Sequence, residues 1–457
     1  DTSLVRVRAT IPAGARRGES VDVRVLAPKE SQTSNLHGGW LLDTRLRQQQ
    51  VLQNTIRQSD VMAIGTGTVF TRADHTPGTD EALKLEANVL GGARVQETRK
   101  VGLILRPKFQ HAKLAEAIAE AINRRFFFFD GTTRRGIAKP IADDFIEIEV
   151  HPRYRDNISR LMAVVRAIAV NPRTSDSQAR LAELSKQMGT PGTAADAAFQ
   201  LEGIGENAVP TLLEAVKATN PELRFYAAEA LAYIDRTEAI EPLEEAARTE
   251  AAFRYQAMLA LQGLQQPLAL DALGRLMSEP SLETRYGAFC SIRRRDDGKR
   301  VLEGKPLKSF WLYRIPSTAE PAIVISLRES PEIVIFGNPS NLDIPEYMMA
   351  DNGWIVKPDP ADATQLRISR FQPGQEDQRA ITATDVGSMI EGIAAAKGTY
   401  GDAISLLREA KDNGYLDSQL AINPLPRPLR TYYREESSDG DTADVKEADL
   451  VVTGTPR

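Results

Sequence analysis

The side chains in this sequence that stand out as capable of chemistry are few: four histidines, one cysteine and one adjacent pair of aspartates. His37, His75, His111 and His151 are scattered, and none has a second His or Cys at the short spacing that a zinc site requires. They read as solvated or core histidines. Asp143 and Asp144 adjoin a strand start, but a glycosidase needs two carboxylates facing one another across the scissile bond. Neighbouring strand residues point to opposite faces, so this pair reads as a turn. IGTGT at 64–68 lacks the third glycine and the Lys-Ser/Thr of a phosphate loop and reads as a strand turn. Cys290 follows Phe289 in an Ala-rich helical segment, the setting of a buried structural thiol. No catalytic, cofactor-binding or metal-ligating residue is assigned, and the chain is read as a non-enzyme without a cofactor.

Two other patterns bear on binding. Arg224, Arg254 and Arg285, each followed by an aromatic residue, recur 30 and 31 residues apart. Facing outward they would form a ladder of cations and aromatics suited to an acidic peptide or glycan. Facing inward, the aromatics would pack between repeats and the arginines would pair with neighbouring acids. The second pattern is RRFFFFDGTTRR at 124–135. A strand here puts Phe126 and Phe128 on one face, Phe127 and Phe129 on the other. If only one face is buried, the other pair exposes roughly 300 Å² of aromatic surface, a patch that a soluble chain seldom leaves uncovered. Phe127 and Phe129, rimmed by Arg124, Arg125, Arg134 and Arg135, are therefore read as a subunit contact with an apolar centre and a polar edge. The other reading has both pairs covered by the chain itself.

Composition narrows the classes. A chain of 457 residues with 42% hydrophobic and 26% charged residues is globular and long enough for two to four domains. Its net charge of −5 argues against nucleic-acid binding through the whole surface. No apolar run approaches the roughly 18 residues of a membrane span. With one cysteine, no intrachain disulfide can form. The opening DTSLVRVRAT is strand-like, without an initiating Met or a leader, and reads as the product of processing or of design.

The elements that must position these residues fall into blocks. VRVRAT and VDVRVLA alternate as strands around a Pro/Gly turn, and HGGWLLDTRL reads as a further turn and strand. VGLILRP reads as a short buried strand. HAKLAEAIAEAINRR is an amphipathic helix with Leu114, Ile118 and Ile122 as its stripe. DDFIEIEVHP is a half-buried strand with Ile146, Ile148 and Val150 inward, followed by a helix with Ile158, Leu161, Val165 and Ile168 on one side. Two helices on one sheet face make an α+β sandwich. From about 190 the texture becomes Ala-rich and repetitive. RFYAAEAL, RYQAMLAL and RYGAFCSI alternate with AVPTLLEAV, AIEPLEEAA and ALDALGRLM, a period of about 30 residues that marks an α-solenoid resembling HEAT repeats. Beyond DDGKRVLEGKP, AIVISL and EIVIFG read as a hairpin, and GWIVKP and QLRISRF as strands. Two short helices follow, one with Thr384 as N-cap and Gly398 as stop, the other ending at Gly414. Seven acids against one lysine over 435–449 read as a disordered acidic tail.

The stretch IPAGARRGESVDVRVLAPKESQTSNLHGGWLLDTRLR resembles the flagellar P-ring protein family. Pro12, Ala15, Arg16, Gly18, Asp22, Val23, Val25, Leu36, Gly38, Gly39, Leu41 and Leu42 carry the likeness in order and spacing. It continues through GGARVQET, AEAINR and EIEVHP, and resumes at ITATDVGSMIEGIAAAKGTYGDAISLLREAKDNGYLDSQLAI, with a weaker likeness over 318–371. The cysteine pair of some family members is absent. The resemblance implies a fold of P-ring-like α/β and β-rich domains carrying an inserted HEAT-like α-solenoid, α+β as a whole. Its domains are expected at 1–172, 173–299 (the solenoid), 300–434 and 435–457 (the acidic tail). It also implies a periplasmic homo-oligomeric ring in the flagellum basal body, a bushing around the rod. The implied partners are the rod, neighbouring ring proteins and peptidoglycan, with no nucleic acid and no membrane span. The other reading is a monomeric HEAT-repeat adaptor binding a peptide or cell-wall polysaccharide.

Overall fold

A computed structural model describes residues 2–28, 30–52, 55–76, 81–170, 177–372, 374 and 376–434 and shows a mixed α+β chain. The acidic tail expected over 435–457 lies outside the described residues. The first unit is a six-stranded antiparallel sheet in the order Arg6–Ala9, Ser20–Leu26, Glu86–Val95, Thr55–Thr68, Trp40–Leu52, with Phe70–Thr71 also paired to Glu86–Val95. Alternation selects its inner face: Val23, Val25, Leu41, Ala63, Val89 and Ala93 make one core. Trp40–Leu52 and Thr55–Thr68 stay paired along their whole length, from Trp40 opposite Thr68 to Leu52 opposite Thr55. The strand Glu86–Val95 flanks Thr55–Thr68 at Ala63–Gly65 alone. The outer half of this hairpin is thus a two-stranded ribbon with open edges. IGTGT lies inside this strand rather than at a turn.

A smaller sheet of Ala138–Pro140, Phe145–Ile148 and Val101–Ile104 carries the helices Ala112–Arg125 and Ile158–Ala167. The expected inward set Ile146, Ile148 and Val150 is buried. On the first helix the buried line is Ala115, Ala119 and Ile122, one position from the expected stripe. Leu114 and Ile118 flank it half-buried, because the small alanines let the backbone sit close to the sheet. Val101–Ile104 is an edge strand and only half-buried, with Ile104 exposed, so VGLIL is less enclosed than its apolar run suggests.

Eight helices follow between Ser177 and Arg294, and their core is continuous with that of the small sheet. Asn220 and Ser281 cap two of them by accepting first-turn N–H bonds. The core does not end with the helices. It runs on into one face of a five-stranded mixed sheet through Tyr313, Val324, Val334 and Phe336. The opposite face of that sheet, Ile323, Ile325, Ile333 and Ile335, packs on the helices Val386–Ala395 and Tyr400–Asp412. Burial on both faces explains why Ala322–Ile325 and Glu332–Phe336 read as unbroken apolar runs. They pair antiparallel, as the sequence predicts. Asp385, not Thr384, caps the first of the two helices, its carboxylate accepting from Ser388 N at 2.9 Å.

Polar joints connect these units in a closed circuit. Arg16 donates to Val150 O at 3.2 Å and Arg155 pairs with Glu19 at 3.2 Å, tying the first sheet to the small one. Arg160, at the small unit, reaches Glu202 at 2.6 Å and Glu229 at 2.5 Å on the helices. Arg293 pairs with Glu332 at 2.9 Å, linking the last helix to the five-stranded sheet. Asp22 closes the circuit by accepting from Gly91 N at 2.6 Å and Glu329 N at 2.9 Å. Gly91 sits at φ +56, and a Cβ there would lie 2.1 Å from Glu329 O, so the closure requires glycine.

Candidate subunit-contact surfaces

The histidines resolve into four separate duties. His111 Nδ1 accepts from Lys113 N and caps the helix Ala112–Arg125. His151 caps a short turn by accepting from Arg153 N, and burial, with Arg153 and Arg125 nearby, lowers its pKa to about 4. His75 stacks on Phe70 at 5.3 Å. His37 is different. Its Nδ1 lies 2.7 Å from Asp74 and its Nε2 3.2 Å from Asp402, with the Asn352 amide 2.9 Å from Nε2 and Arg370 3.7 Å from Asp402. Burial alone would lower the His37 pKa, but the two carboxylates outweigh it and raise it to about 10. Both ring nitrogens then carry protons, so no lone pair is left for general-base work. This is a charged clamp between the first sheet and the C-terminal helix, a second fastening beside Asp22.

The clamp has a pH signature. A folded-state pKa raised above the ordinary 6.5 stabilises fully below 6.5 and ceases to as pH rises through about 10. Burial raises the Asp402 pKa, but the His37 contact more than reverses this and holds it well below the carboxylate range. Its contribution is therefore present above about 4 and lost in stronger acid. His37→Gln should lower the melting temperature by several degrees at pH 6, and the gap to the parent should narrow steadily towards pH 10. A gap that stays constant over that range would exclude the charged clamp.

Cys290 is buried, and burial pushes its thiol up to about 12, so it is no nucleophile at neutral pH. Among the described residues no group of His, Cys, Asp and Glu is arranged to hold a metal ion, and no helix is long and apolar enough to cross a membrane.

The phenylalanine stretch forms a hairpin. Phe126 ends the helix Ala112–Arg125, its N–H on Ile122 O, and its ring is buried edge-on to Tyr154. Phe127–Asp130 then pairs with Thr133–Gly136 across a turn in which Gly131 takes φ +63. Phe128 packs on the core, while Phe127 and Phe129 meet edge-to-face at 5.8 Å on the other side, with Phe129 66% exposed. The arginines divide. Arg125 points inward, donating to Glu202 O and Tyr233 O, and so is not part of the rim. Arg134 lies 3.8 Å from the centre of the Phe127 ring while its guanidinium caps Arg124 O at 3.0 Å. Arg135 pairs with Glu149 at 2.9 Å. Arg124 is exposed at the edge.

A second patch lies on the open ribbon. Val51 and Ile56 are directly opposite one another and are 69% and 66% exposed. Trp40 and Leu42 are exposed at its base. The sequence pattern gave little warning, because QQQVLQNTIRQS carries only scattered apolar residues.

The outward ladder of arginines is not formed. Arg224 is half-buried and pairs with Glu245 at 3.2 Å. Arg254 is buried, its Nε on Ala247 O at 2.9 Å and its Nη1 3.3 Å from Glu283. Arg285 is 1% exposed, donating to Glu320 O at 2.8 Å, and burial lowers its pKa. Phe225 and Tyr286, the aromatics that follow the first and third, are buried as well. The guanidiniums of Arg254 and Arg285 satisfy carbonyls inside the chain, the reason they face inward, while Arg224 pairs with an acid of the next helix.

With this geometry, comparison with known proteins is informative. Residues 1–182 match the family described as "Flagellar P-ring protein", and residues 177–262 match the family described as "HEAT repeats". The flagellar P-ring protein of Paramagnetospirillum magneticum (strain ATCC 700264 / AMB-1) is 28% identical over 196 residues. That alignment covers 40% of this chain and 44% of the relative, so the chain spans less than half the length of the protein it resembles. Both exposed apolar patches fall within the P-ring-like part.

Proposed function

We propose that this chain is a non-enzymatic subunit of a P-ring-like periplasmic ring, part of the bushing around the flagellar rod in the basal body. The observation that carries the reading is the coincidence of the family match over 1–182 with two unlike apolar patches on separate elements, the Phe127/Phe129 face and the Val51/Ile56 ribbon. A ring closes through heterologous contacts, in which one patch of each copy meets a different patch of the next. Many lateral contacts of modest strength suffice for closure, and a surface facing a turning rod must lack pockets that would grip it. The likeness of residues 380–422 to the same family rests on the residues themselves and extends the reading to the C-terminal helix pair. Rod, neighbouring rings and peptidoglycan are the partners that this role entails.

Light scattering over a concentration series, with electron micrographs of any large species, tests the reading. Annular particles of uniform diameter are expected. A strict monomer at every concentration would overturn the ring in favour of a single-copy adaptor.

A further inference from the structure

The segment Pro424–Arg434 does not trail away from the fold. It runs back along the helical repeats, from the last to the earlier ones. Pro426 lies against Gly287, where an added Cβ would sit 2.7 Å from the proline ring. Arg430 pairs with Glu283 at 3.0 Å. Tyr432 stacks on Phe253 with ring centres 4.7 Å apart, and Phe253 stacks in turn on Phe225 at 4.3 Å. Arg434 grips Glu222 with two bonds of 2.8 Å. Residues 430, 432 and 434 share one face of an extended chain. Four residues of backbone span about 13 Å, two helix-to-helix steps of about 9 Å need roughly 18 Å, and the arginine side chains supply the difference.

The receiving surface repeats as the ligand does. Two residues before Arg224, Arg254 and Arg285 stand Glu222, Ala252 and Glu283, and Phe253 fills the middle step. Acid, aromatic and acid thus face cation, aromatic and cation. With Arg434 in place Glu222 is 3% exposed, so the carboxylate of this charged pair is closed off from water.

We propose that the helical repeats form a groove that recognises an extended Arg-x-Tyr-x-Arg segment, filled at rest by the chain's own residues 424–434 and, in an assembly, by the same segment of a second copy. The exchange builds on the head-to-tail reading above, whereas the recognition stands without it. Leu429, at φ +59 and 84% exposed, lies within the segment that would move.

The test uses the full chain carrying Arg430→Ala, Tyr432→Ala and Arg434→Ala, which empties the groove, and a labelled peptide of residues 424–434, PLPRPLRTYYR. The emptied chain should bind the peptide at least tenfold more tightly than the parent, whose tethered segment competes at about millimolar effective concentration. Adding Glu222→Gln and Glu283→Gln should weaken binding at least tenfold. A folded, emptied chain that ignores the peptide, or binds it equally well without the two carboxylates, overturns the groove. Should the triple variant not fold, Arg434→Glu with Glu222→Arg should restore the melting temperature that either change alone lowers; failure of the pair to do so has the same force. For the exchange, parent and emptied chain mixed at about millimolar concentration, where the second copy rivals the tether, should give a heterodimer by sedimentation. Peptide binding without that heterodimer overturns the exchange and leaves the groove, and neither result depends on whether rings form.

Discussion

Replacing Arg160 with Met should destabilise the fold more than any other single change considered for this chain, by about 3–5 kcal/mol, the usual cost of removing one partner from a buried ion pair. The guanidinium contacts Glu202 through two donors at 3.0 and 2.6 Å and Glu229 through a third at 2.5 Å. Tyr154 donates to the other oxygen of Glu202 at 2.5 Å, and Tyr154 and Tyr233 stack above at 4.6 Å. Both carboxylates are essentially sealed from water. Methionine fills most of the volume but leaves two acids facing each other in a low-dielectric interior. Burial already holds the Glu229 carboxyl above the usual range, although Arg160 opposes it. Without the arginine, folding must take up protons. A carboxylate whose folded pKa is raised gains stability as pH falls, so the deficit of the variant should shrink between pH 7 and pH 5. Thermal melts across that range check both points. A loss below 1 kcal/mol, or one independent of pH, would mean that the network is not paired as described. Glu202→Gln and Glu229→Gln added to Arg160→Met should recover much of the loss, because neutral amides carry no charge to strand.

Phe127→Ser together with Phe129→Ser should abolish assembly while leaving the fold intact. Neither ring belongs to the core; Phe126 does, and Phe128 packs against it. Phe129 is exposed and Phe127 half-buried, so burying what remains open of the two rings in a contact is worth about 2–4 kcal/mol, and their loss weakens each lateral contact roughly thirtyfold to a thousandfold. A ring needs every contact, and such a change dissolves it at ordinary concentrations. Circular dichroism and melting temperature should move little, while light scattering falls to the monomer mass. Normal assembly by the double variant would remove this face from the interface. The ribbon offers an independent check: Val51→Lys with Ile56→Lys should also block rings. If the two patches meet each other, mixing the two double variants should yield dimers capped at both ends, since each retains one good patch.

Much of the architecture was legible from periodicity. The AIVISL and EIVIFG strands, the paired helices near the C-terminus and the 30-residue repeat are all local patterns, and local patterns survive into the fold. The inward pair of the four phenylalanines was also legible, because alternation on a strand needs only neighbouring residues. What escaped were contacts made over long separations or to the backbone. The partners of His37 lie 37 and 365 residues away, so no spacing rule could mark it. Arg254 reads as a surface ladder because its position repeats, yet its Nε is directed to Ala247 O, and a carbonyl leaves no signature in the sequence. The same repeat hid its better clue two residues earlier, in Glu222 and Glu283, where the carboxylates and not the guanidiniums face the groove. The repeats read as an insertion, and the pattern did not show that their core runs on into both neighbouring units, from Ala115 to Phe336.

The closed circuit of polar joints has a mechanical meaning. Units strung end to end can pivot at each connection, but four units fastened into a loop form a frame, and each fastening here holds at more than one point. His37 and Asp22 brace the same side of it, so that shear across the first sheet is resisted by two struts rather than one pin. A frame stores torque as small elastic strain spread around its perimeter and yields only when a corner fails. Were the proposed ring to form, its compliance would then reside between neighbouring copies, each copy behaving as a stiff brick.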